Sequence, residues 1–399
     1  MTPPDRRYLD RGVSAEKTGV TAATAGLDRG LYPGAFCRIF PDLLTGDPHR
    51  CVVVHTDDVG TKTSLAYLCW RESGDESVWR GIAQDSLAMN IDDIACVGAL
   101  GPVYVTNTIA RNAKLVPDSV LATLIEGYTD ASELLSGCGI ECHLVGGETS
   151  DCGDVVRTVF VESTVVASCH RDQVIDADRI TVGDVIVSFS STGQAAWESR
   201  PNSGIGSNGL TNARHDLLAP QYRRLYRETF SPEVPEDLTY RGPFRLEDRL
   251  PGDDRFTIGE ALISPTRFYA PLIQRIIGAI SREAVHGLVH CTGGGQTKIG
   301  RFGGSRTALR YVKTSLLPIP PLFKVLKEVS DVDWKEMYQV YNMGQLLEAV
   351  VPPDVGAVCR EIAKEVGIDA VISGVVERST SDRNEVIVDS ENGEFRYSM

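Results

Sequence analysis

Two adjacent carboxylates followed by a glycine and a lysine occur in the segment VVVHTDDVGTKTSLAY, residues 52–67. The apolar first half is typical of a β-strand, and Asp57 and Asp58 come at its end, just before Gly60 and Lys62. Carboxylate oxygens bind hard divalent cations, whereas lysine and glycine N–H groups bind phosphate. The segment therefore indicates a site for phosphate and a metal ion, although it matches no standard nucleotide-binding loop.

Three further polar segments have similar chemistry: GGETSDCGD, GIGSNG and TGGGQTK. The acids Asp57, Asp93 and Glu148 come from separate segments, as oxygen-ligated magnesium sites usually require. Several glycines let backbone approach a ligand and offer N–H donors: Gly60, Gly146, Gly147, Gly293, Gly294 and Gly295. Each feature alone has an ordinary explanation as a turn, a solvated helix residue or a flexible loop. Their combination in one chain favours a phosphate and metal site.

The common nucleotide-binding motifs are disfavoured. No G-x-x-x-x-G-K-[ST] occurs in the sequence, which argues against a P-loop. GIGSNG, residues 204–209, does match G-x-G-x-x-G, but the dinucleotide fingerprint needs a strand immediately before it and QAAWESRPNS intervenes.

The composition excludes several classes of partner. Forty basic and 54 acidic residues give a formal charge of −14, which repels a polyanion, so we expect no nucleic-acid partner. No apolar run approaches the roughly 20 residues of a membrane helix, and the polar start resembles no signal peptide, so we expect a cytoplasmic protein without a membrane partner. The ten cysteines are scattered without C-x-x-C, which predicts reduced thiols and no disulfide framework.

The order of predicted elements indicates two domains of mixed α and β structure. Strands are predicted at CVVVHTDDVG, PVYVTNTIA and VRTVFVESTVVASCH, and IECHLVGGETSD is interpreted as a strand running into a polar glycine loop. SNGLTNARHDLL is predicted to begin a helix capped by Ser207 or Asn208. We place the first domain at residues 1–172 and the second at 173–399, with an insertion near 217–256.

The segment VWRGIAQDSLAMNIDDIACVGA predicts a long helix with one apolar face. Asp93 falls on the flank of that face, and Asp85 and Asp92 are predicted to point away from the core. The core face consists of Ala83, Leu87, Ile91 and Ile94.

Seven motifs in one order resemble the phosphoribosylformylglycinamidine cyclo-ligase family, also called aminoimidazole ribonucleotide synthetases. They are HTDDVGTKTSLAY with AMNIDDIACVGA, HLVGGETSD, SNGLTNAR, LISPTRFYAPLI, HGLVHCTGGGQTKI and EMYQVYNMG. The similarity extends from YLDRGVS near the start to ISGVVERS near the end. It therefore covers almost the whole chain.

The resemblance implies a homodimer in which the N-terminal α+β domains form a shared β-barrel, each beside a C-terminal α/β domain. It implies ATP and magnesium as cofactors and a phosphoribosyl intermediate, formylglycinamidine ribonucleotide, as substrate. ATP would phosphorylate the amide oxygen of the formyl group, and a nitrogen would then close the imidazole ring in de novo purine biosynthesis. Such phosphoryl transfer depends on positioning and charge neutralisation.

The resemblance also implies roles for individual residues. The metal ligands would be Asp57, Asp93 and Glu148, and the catalytic residues Asp57, Lys62 and Asp93. The ATP-binding residues would be Gly60, Thr61, Lys62, Gly146, Gly147 and Glu148. The substrate-binding residues would be Ser207, Asn208, Gly209, Gly293, Gly294 and Gly295.

The chain departs from the family pattern at several positions. Asp58 stands where the family has glycine, Asp92 where it has asparagine, and Gly206 where it commonly has histidine before S-N-G. If that histidine assists catalysis, His215 or His290 would have to replace it.

The alternatives are another ATP-dependent enzyme of the same superfamily and a catalytically silent nucleotide-binding paralogue. The superfamily enzymes considered are thiamine-monophosphate kinase, selenophosphate synthetase and the glutamine-dependent amidotransferase.

Overall fold

The computed structural model describes residues 4–13 and 18–399. The strands are β1 Ile39–Pro41, β2 Arg50–Asp58, β3 Val103–Arg111, β4 Cys142–Asp151, β5 Val159–His170, β6 Val185–Ser190, β7 Gly287–His290, β8 Leu309–Lys313, β9 Gln345–Val351, β10 Ala370–Arg378, β11 Glu385–Ser390 and β12 Gly393–Ser398. The helices are α1 Pro4–Asp10, α2 Thr18–Thr24, α3 Lys62–Ser73, α4 Val78–Ala95, α5 Asp118–Gly137, α6 Leu210–Leu217, α7 Gln221–Leu225, α8 Ile258–Ile263, α9 Ala270–Ala279, α10 Pro321–Ser330, α11 Trp334–Val340 and α12 Pro353–Glu365. No helix among these residues is long and apolar enough to cross a bilayer.

The N-terminal sheet has the order β1-β2-β5-β3-β4. Only the β3–β4 pair is parallel, so the sheet is mixed. Helices α4 and α5 pack on one face, where the inward side chains of β5 are buried. On the other face Val54 and Tyr104 are 59% and 55% exposed. This face is therefore open to solvent in a single chain.

The C-terminal sheet has the order β12-β11-β8-β10-β6-β9-β7. Its β8–β11 pair is parallel and its other pairs are antiparallel. Helix α12 packs against β6 and β10. The fold is thus a two-domain α+β fold with two mixed sheets. The expected α/β second domain was wrong in the strict sense, because most of its strand pairs are antiparallel.

Helix α4 confirms its predicted core face but not the orientation of its acids. Ala83, Leu87, Ile91 and Ile94 are buried. Asp85 and Asp92 are fully buried as well, so the prediction that they point away from the core was wrong. The reason is that α4 is covered on two sides: the sheet lies on one, and segments of the C-terminal domain lie on the other.

Backbone and hydroxyl groups of the second domain donate hydrogen bonds to these buried acids, although Oδ2 of Asp85 has no partner among the described residues. The Asp85 carboxylate accepts hydrogen bonds from the amide and hydroxyl of Thr266, both at 2.6 Å. Asp92 accepts from the amides of Tyr269 and Ala270 at 2.9 and 2.8 Å, where α9 begins. A carboxylate at a helix N-terminus is stabilised by the free N–H groups there.

Two local predictions were also wrong. GGETSD is not a loop, because residues 146–151 continue β4 and pair with β3. The residue that caps α6 is Gly209, with φ of +75°, rather than Ser207 or Asn208. An added Cβ at Gly209 would lie 2.4 Å from the ring of Tyr341, so the position requires glycine.

Candidate functional site

Asp93 lies at the junction of the two domains. Its carboxylate contacts Nδ1 of His290 at 2.8 Å and Nε2 of His55 at 3.4 Å. The other nitrogen of His55 contacts the Asn90 amide oxygen at 3.0 Å, and the Asn90 amide nitrogen donates to the Asp57 carbonyl at 3.2 Å. Strands β2 and β7 and helix α4 thus contribute side chains to one polar cluster.

The two predicted metal ligands Asp57 and Asp93 interact electrostatically. Burial and the negative charge of Asp93 raise the pKa of the Asp57 carboxyl. Burial alone would raise the pKa of Asp93, but the charge of Lys298 and the hydrogen bond from His290 outweigh it and lower that pKa. Burial and the charge of Asp93 thus disfavour the ionised form of Asp57, and a nearby cation would favour it.

Lys298 supplies positive charge close to Asp93. Its ammonium donates to the Thr292 hydroxyl at 2.7 Å and lies 4.6 Å from the ring centroid of Phe36. Its Cβ lies against Gly294, 3.5 Å from where a Cβ would be built on that glycine. Lys298 is half-buried and uses one of its three N–H groups within the described part of the protein, which leaves two for a ligand.

Lys62 has a different role from the predicted one. Its ammonium is fully buried and donates to Asp85 at 2.8 Å and to the carbonyls of Gly206 and Ser264 at 3.0 and 2.6 Å. An ammonium has three N–H donors, so none remains for a phosphate. The predicted roles of Lys62 in catalysis and ATP binding therefore find no free donor in the structure. Lys62 joins α3 and α4 to two segments of the second domain.

Asp58 points to the open face of the sheet. It is exposed, and its carboxylate accepts from the Gly60 amide at 2.6 Å. Its own amide donates to the Asp57 carboxylate at 2.8 Å. The carboxylate that replaces the family glycine thus stabilises the turn after β2 and is not buried beside Asp93.

The predicted substrate loops lie side by side. A Cβ built on Gly293 would lie 3.7 Å from the Asn208 amide nitrogen, which places the two glycine-rich loops in contact range. Thr61 reaches the same region, since its hydroxyl lies 2.9 Å from that of Thr211 in the first turn of α6. The buried Asn208 amide oxygen has no hydrogen-bond partner among the described residues. This orphaned acceptor indicates a place where a ligand donor would bind.

A buried polar network holds the two glycine-rich loops in place. The Lys313 ammonium is ion-paired with Glu348 and donates to the Gln296 carbonyl at 2.8 Å. The Gln296 amide donates to the Asn342 carbonyl at 2.6 Å, and the Asn342 side chain donates to the Gly204 carbonyl at 2.9 Å. The network therefore connects the loop that contains residues 293–295 with the loop 204–209.

Glu148 does not join Asp57 and Asp93 within one chain. It is exposed on β4, opposite Thr108, and Thr108 is in turn opposite Glu162, the partner of Asp58. Three strand spacings separate Glu148 from Asp58, about 14 Å. Glu148 lies on the face of Asp58, whereas Asp57 lies on the opposite face. Among residues 4–13 and 18–399, no group of three or more potential metal-ligating side chains is assembled.

Gly146 and Gly147 lie beside Glu148 on the same exposed edge strand. They are therefore apart from the loops at 204–209 and 293–295 in a single chain.

Of the two histidines considered as replacements, only His290 belongs to the cluster. His215 is buried next to the rings of Phe230 and Tyr240, and its Nδ1 accepts from the Tyr240 amide at 3.2 Å. Burial, followed by the charges of Arg214 and Arg11, holds the pKa of His215 well below its usual value. His215 is thus a neutral core residue.

Three features of this region were not predicted from the sequence: His55, Lys298 and the Lys313–Glu348 pair. His55 could have been found, because it is two residues before Asp57 on a strand and so shares its face. Lys298 stands in the TGGGQTK motif itself. Nothing local marks Lys313 or Glu348, since their partners come from distant strands.

Comparison with known families gives two matches. Residues 37–169 match the N-terminal domain and residues 181–387 the C-terminal domain of AIR synthase related proteins. The phosphoribosylformylglycinamidine cyclo-ligase of Symbiobacterium thermophilum is 28% identical over 97% of this chain and 99% of that protein. The cyclo-ligase of Methanothermobacter thermautotrophicus is 30% identical over 87% of this chain and 88% of that protein.

Solved structures share the fold at lower identity. A chain of the HypE–HypF complex gives a TM-score of 0.56 with 17% identity, covering 96% of this chain and 99% of that chain. AaThiL, complexed with AMPPCP and TMP, gives 0.53 with 12% identity and 95% coverage of both chains. T. maritima PurL, complexed with FGAR, gives 0.55 with 14% identity over 99% of this chain and 52% of that chain. Because the two family matches cover most of its length, the chain belongs to the AIR synthase-related family.

Proposed function

We propose that the protein is an ATP-dependent cyclo-ligase that converts formylglycinamidine ribonucleotide to aminoimidazole ribonucleotide. The observation that carries the proposal is the arrangement of Asp57, Asp93 and Lys298 next to the paired glycine loops at the domain junction. Relatives named as this enzyme, similar over nearly the whole chain, support it. The protein would act in the cytoplasm, in de novo purine biosynthesis.

The proposed roles of the residues follow from their contacts. Lys298, with two free N–H groups, binds transferring phosphate and takes the part first assigned to Lys62. The Asn208 amide oxygen accepts a donor from the substrate. Backbone N–H groups of the loops 207–209 and 293–295 orient the substrate, and Gly60 and Thr61 border the ATP side. AMPPCP bound to AaThiL and ATP bound to HypE support ATP as the cofactor.

The residues present fit a magnesium ion in part. Asp57 and Asp93 offer oxygen ligands, and a cation there would favour the ionised form of Asp57, whose pKa is raised by burial and by the charge of Asp93. When bound there, magnesium would neutralise the charge of the triphosphate. Glu148 can act as a third ligand only from a second copy of the chain, because in one chain it lies on the other face of the sheet.

The chemistry requires little covalent participation by the protein. Phosphorylation of the formyl amide oxygen creates a good leaving group, and attack by the neighbouring nitrogen closes the ring with loss of phosphate. The contribution of this chain is to hold the two reacting groups together and to stabilise negative charge on the transferring phosphoryl group. Asp93 also fixes the orientation of His290 at the border of the cluster.

A homodimer fits the open face of the N-terminal sheet. Val54, Val166 and Tyr104 form one row across three strands, and Val54 and Tyr104 are more than half exposed. Strand β4 beside this row is an exposed sheet edge with free backbone groups. We propose that a second copy of the chain covers this face, which would bring Gly146, Gly147 and Glu148 of each chain to the site of the other.

The experiment that tests the function is turnover. Purified protein with ATP, magnesium and formylglycinamidine ribonucleotide should release ADP, phosphate and aminoimidazole ribonucleotide in equal amounts. Asp93→Asn should lose this turnover while keeping the thermal unfolding temperature close to wild type. ATP binding without ring-closed product would favour the silent paralogue, and phosphorylation of thiamine monophosphate would favour the kinase.

A further inference from the structure

A polar groove of about 560 Å³ lies in the C-terminal domain. It is bordered by residues 178–182, by the turn 304–307 and by the end of β10. Its lining includes three arginines, Arg179, Arg306 and Arg378, and a single carboxylate, Asp178. The groove is thus locally basic on a chain with a formal charge of −14.

The turn at this groove presents free backbone N–H groups. Gly303 and Gly304 have φ of +66° and +82°. The Asn384 side chain donates to the carbonyls of Gly300, Phe302 and Gly303 at 3.1 to 3.2 Å, so these carbonyls face inward. Within the described part of the chain, the amides of residues 304–307 have no hydrogen-bond partner. Successive free amides in a turn form a concave anion-binding surface.

Several side chains of the groove likewise have no hydrogen-bond or ion-pair partner among the described residues. Arg306 and Arg378 make no ion pair or hydrogen bond with another described side chain, and the hydroxyls of Ser305 and Thr307 have no partner among the described residues. The neighbouring Arg310, by contrast, is ion-paired with Glu385 at 3.1 Å. Planar guanidinium groups bind phosphate through paired hydrogen bonds.

The remaining charged groups do not cancel this field. The Asp178 carboxylate lies against Gly34, where a built Cβ would be 2.3 Å from its Cγ. His286 is paired with Asp184 at 2.8 Å, so within the groove lining Asp178 alone opposes the charges of the three arginines.

We propose that this groove binds a small phosphate-bearing anion. The ligand's phosphate contacts Arg306 and Arg378 together with the amides of residues 304–307. The strongly acidic chain as a whole repels a polyanion, which favours a small molecule over a nucleic acid. The groove shares no lining residue with the cluster at Asp93, so this site does not depend on the proposed ring-closing activity.

The test is hydrogen exchange on the full chain with inorganic phosphate as the probe. Phosphate should slow exchange of the amides in residues 302–309. The double variant Arg306→Glu/Arg378→Glu should weaken this protection by at least about tenfold in phosphate concentration for each arginine. A matched control, Arg224→Glu/Arg360→Glu, changes the charge equally at exposed arginines elsewhere and should protect like wild type.

The neutral variant Arg306→Gln gives a second measurement if the double variant unfolds, and it should weaken protection about tenfold. The proposal is overturned if phosphate does not protect residues 302–309, or if the groove variants and the control respond alike. Protection by a DNA oligonucleotide and not by phosphate would overturn the small-anion assignment.

Discussion

At the scale of single residues, Lys62 and Lys298 differ in how many of their N–H groups are free to bind a phosphate. Lys62 has all three donors occupied in the interior, whereas Lys298 has two free and its charge reaches Asp93. Buried ion pairs of the first kind hold structure, and half-buried cations of the second kind are available to ligands. The two lysines therefore predict different consequences of substitution.

Replacing Lys298 should impair catalysis with little loss of stability. Lys298→Met removes the charge proposed to stabilise the transferring phosphoryl group, and kcat/KM should fall on the order of 10²-fold. The measurement is steady-state turnover together with thermal unfolding. Lys114→Met removes an exposed lysine elsewhere and should leave both unchanged, and equal effects of the two substitutions would remove Lys298 from the site.

His215 should make stability depend on pH. Its folded-state pKa lies well below 6.5, so the unfolded chain binds a proton that the folded chain does not. Stability is fully present above about pH 6.5 and is lost as the pH falls, by up to about 1.4 kcal/mol per pH unit from this group. His215→Gln should flatten the slope of the unfolding free energy between pH 7 and 5 by that amount. His143→Gln, at a half-exposed site, should retain the wild-type slope.

At the scale of elements, the domain junction is held by α3 and α4. Lys62 at the start of α3 contacts Asp85 on α4, and both contact the second domain through Gly206, Ser264 and Thr266. The chemistry of the site is thus carried by β2, α4 and the loop after β7, while the beginning of α3 positions them.

Breaking the buried Lys62 contact should destabilise the junction strongly. Lys62→Met leaves the fully buried Asp85 carboxylate without its cation, which costs on the order of 3–5 kcal/mol of unfolding free energy. Chemical denaturation measures this loss. A change below about 1 kcal/mol, as expected for an exposed lysine, would show that the contact does not hold the domains.

The sequence alone predicted strands β2, β3 and β5, because strand patterns are local, but it did not predict β1 or the second half of β4. It did not predict the burial of Lys62, since Ser264 is 202 residues away in the chain. The sequence also did not predict which face of the sheet carries Glu148, because the register of β4 on β3 shifts after Val105. Burial and sheet register depend on contacts between segments that are far apart in the chain, and a local sequence pattern does not contain this information.

At the scale of the whole molecule, some of the predicted site residues lie on the exposed face and edge of the N-terminal sheet, away from the others. Gly146, Gly147 and Glu148 lie on the exposed edge strand, apart from the cluster at Asp93. A second copy of the chain on this face would supply them. Assembly and activity should therefore be linked.

Negative charge on the open face should dissociate the proposed dimer. Val54→Asp/Tyr104→Asp places two carboxylates where apolar side chains would be buried between copies. Sedimentation should show half the wild-type mass, with loss of turnover. Leu225→Asp, at an exposed leucine on α7, should remain dimeric and active. A wild-type monomer with full turnover would contradict the shared site.

The most direct test of the central claim follows one oxygen atom. Formylglycinamidine ribonucleotide labelled with ¹⁸O in the formyl group is converted with ATP and magnesium, and the released phosphate is analysed by mass spectrometry. If the amide oxygen is phosphorylated before ring closure, the phosphate should carry one ¹⁸O for each aminoimidazole ribonucleotide formed. Ring closure with the label in water, or ATP hydrolysis that yields unlabelled phosphate, would contradict the account.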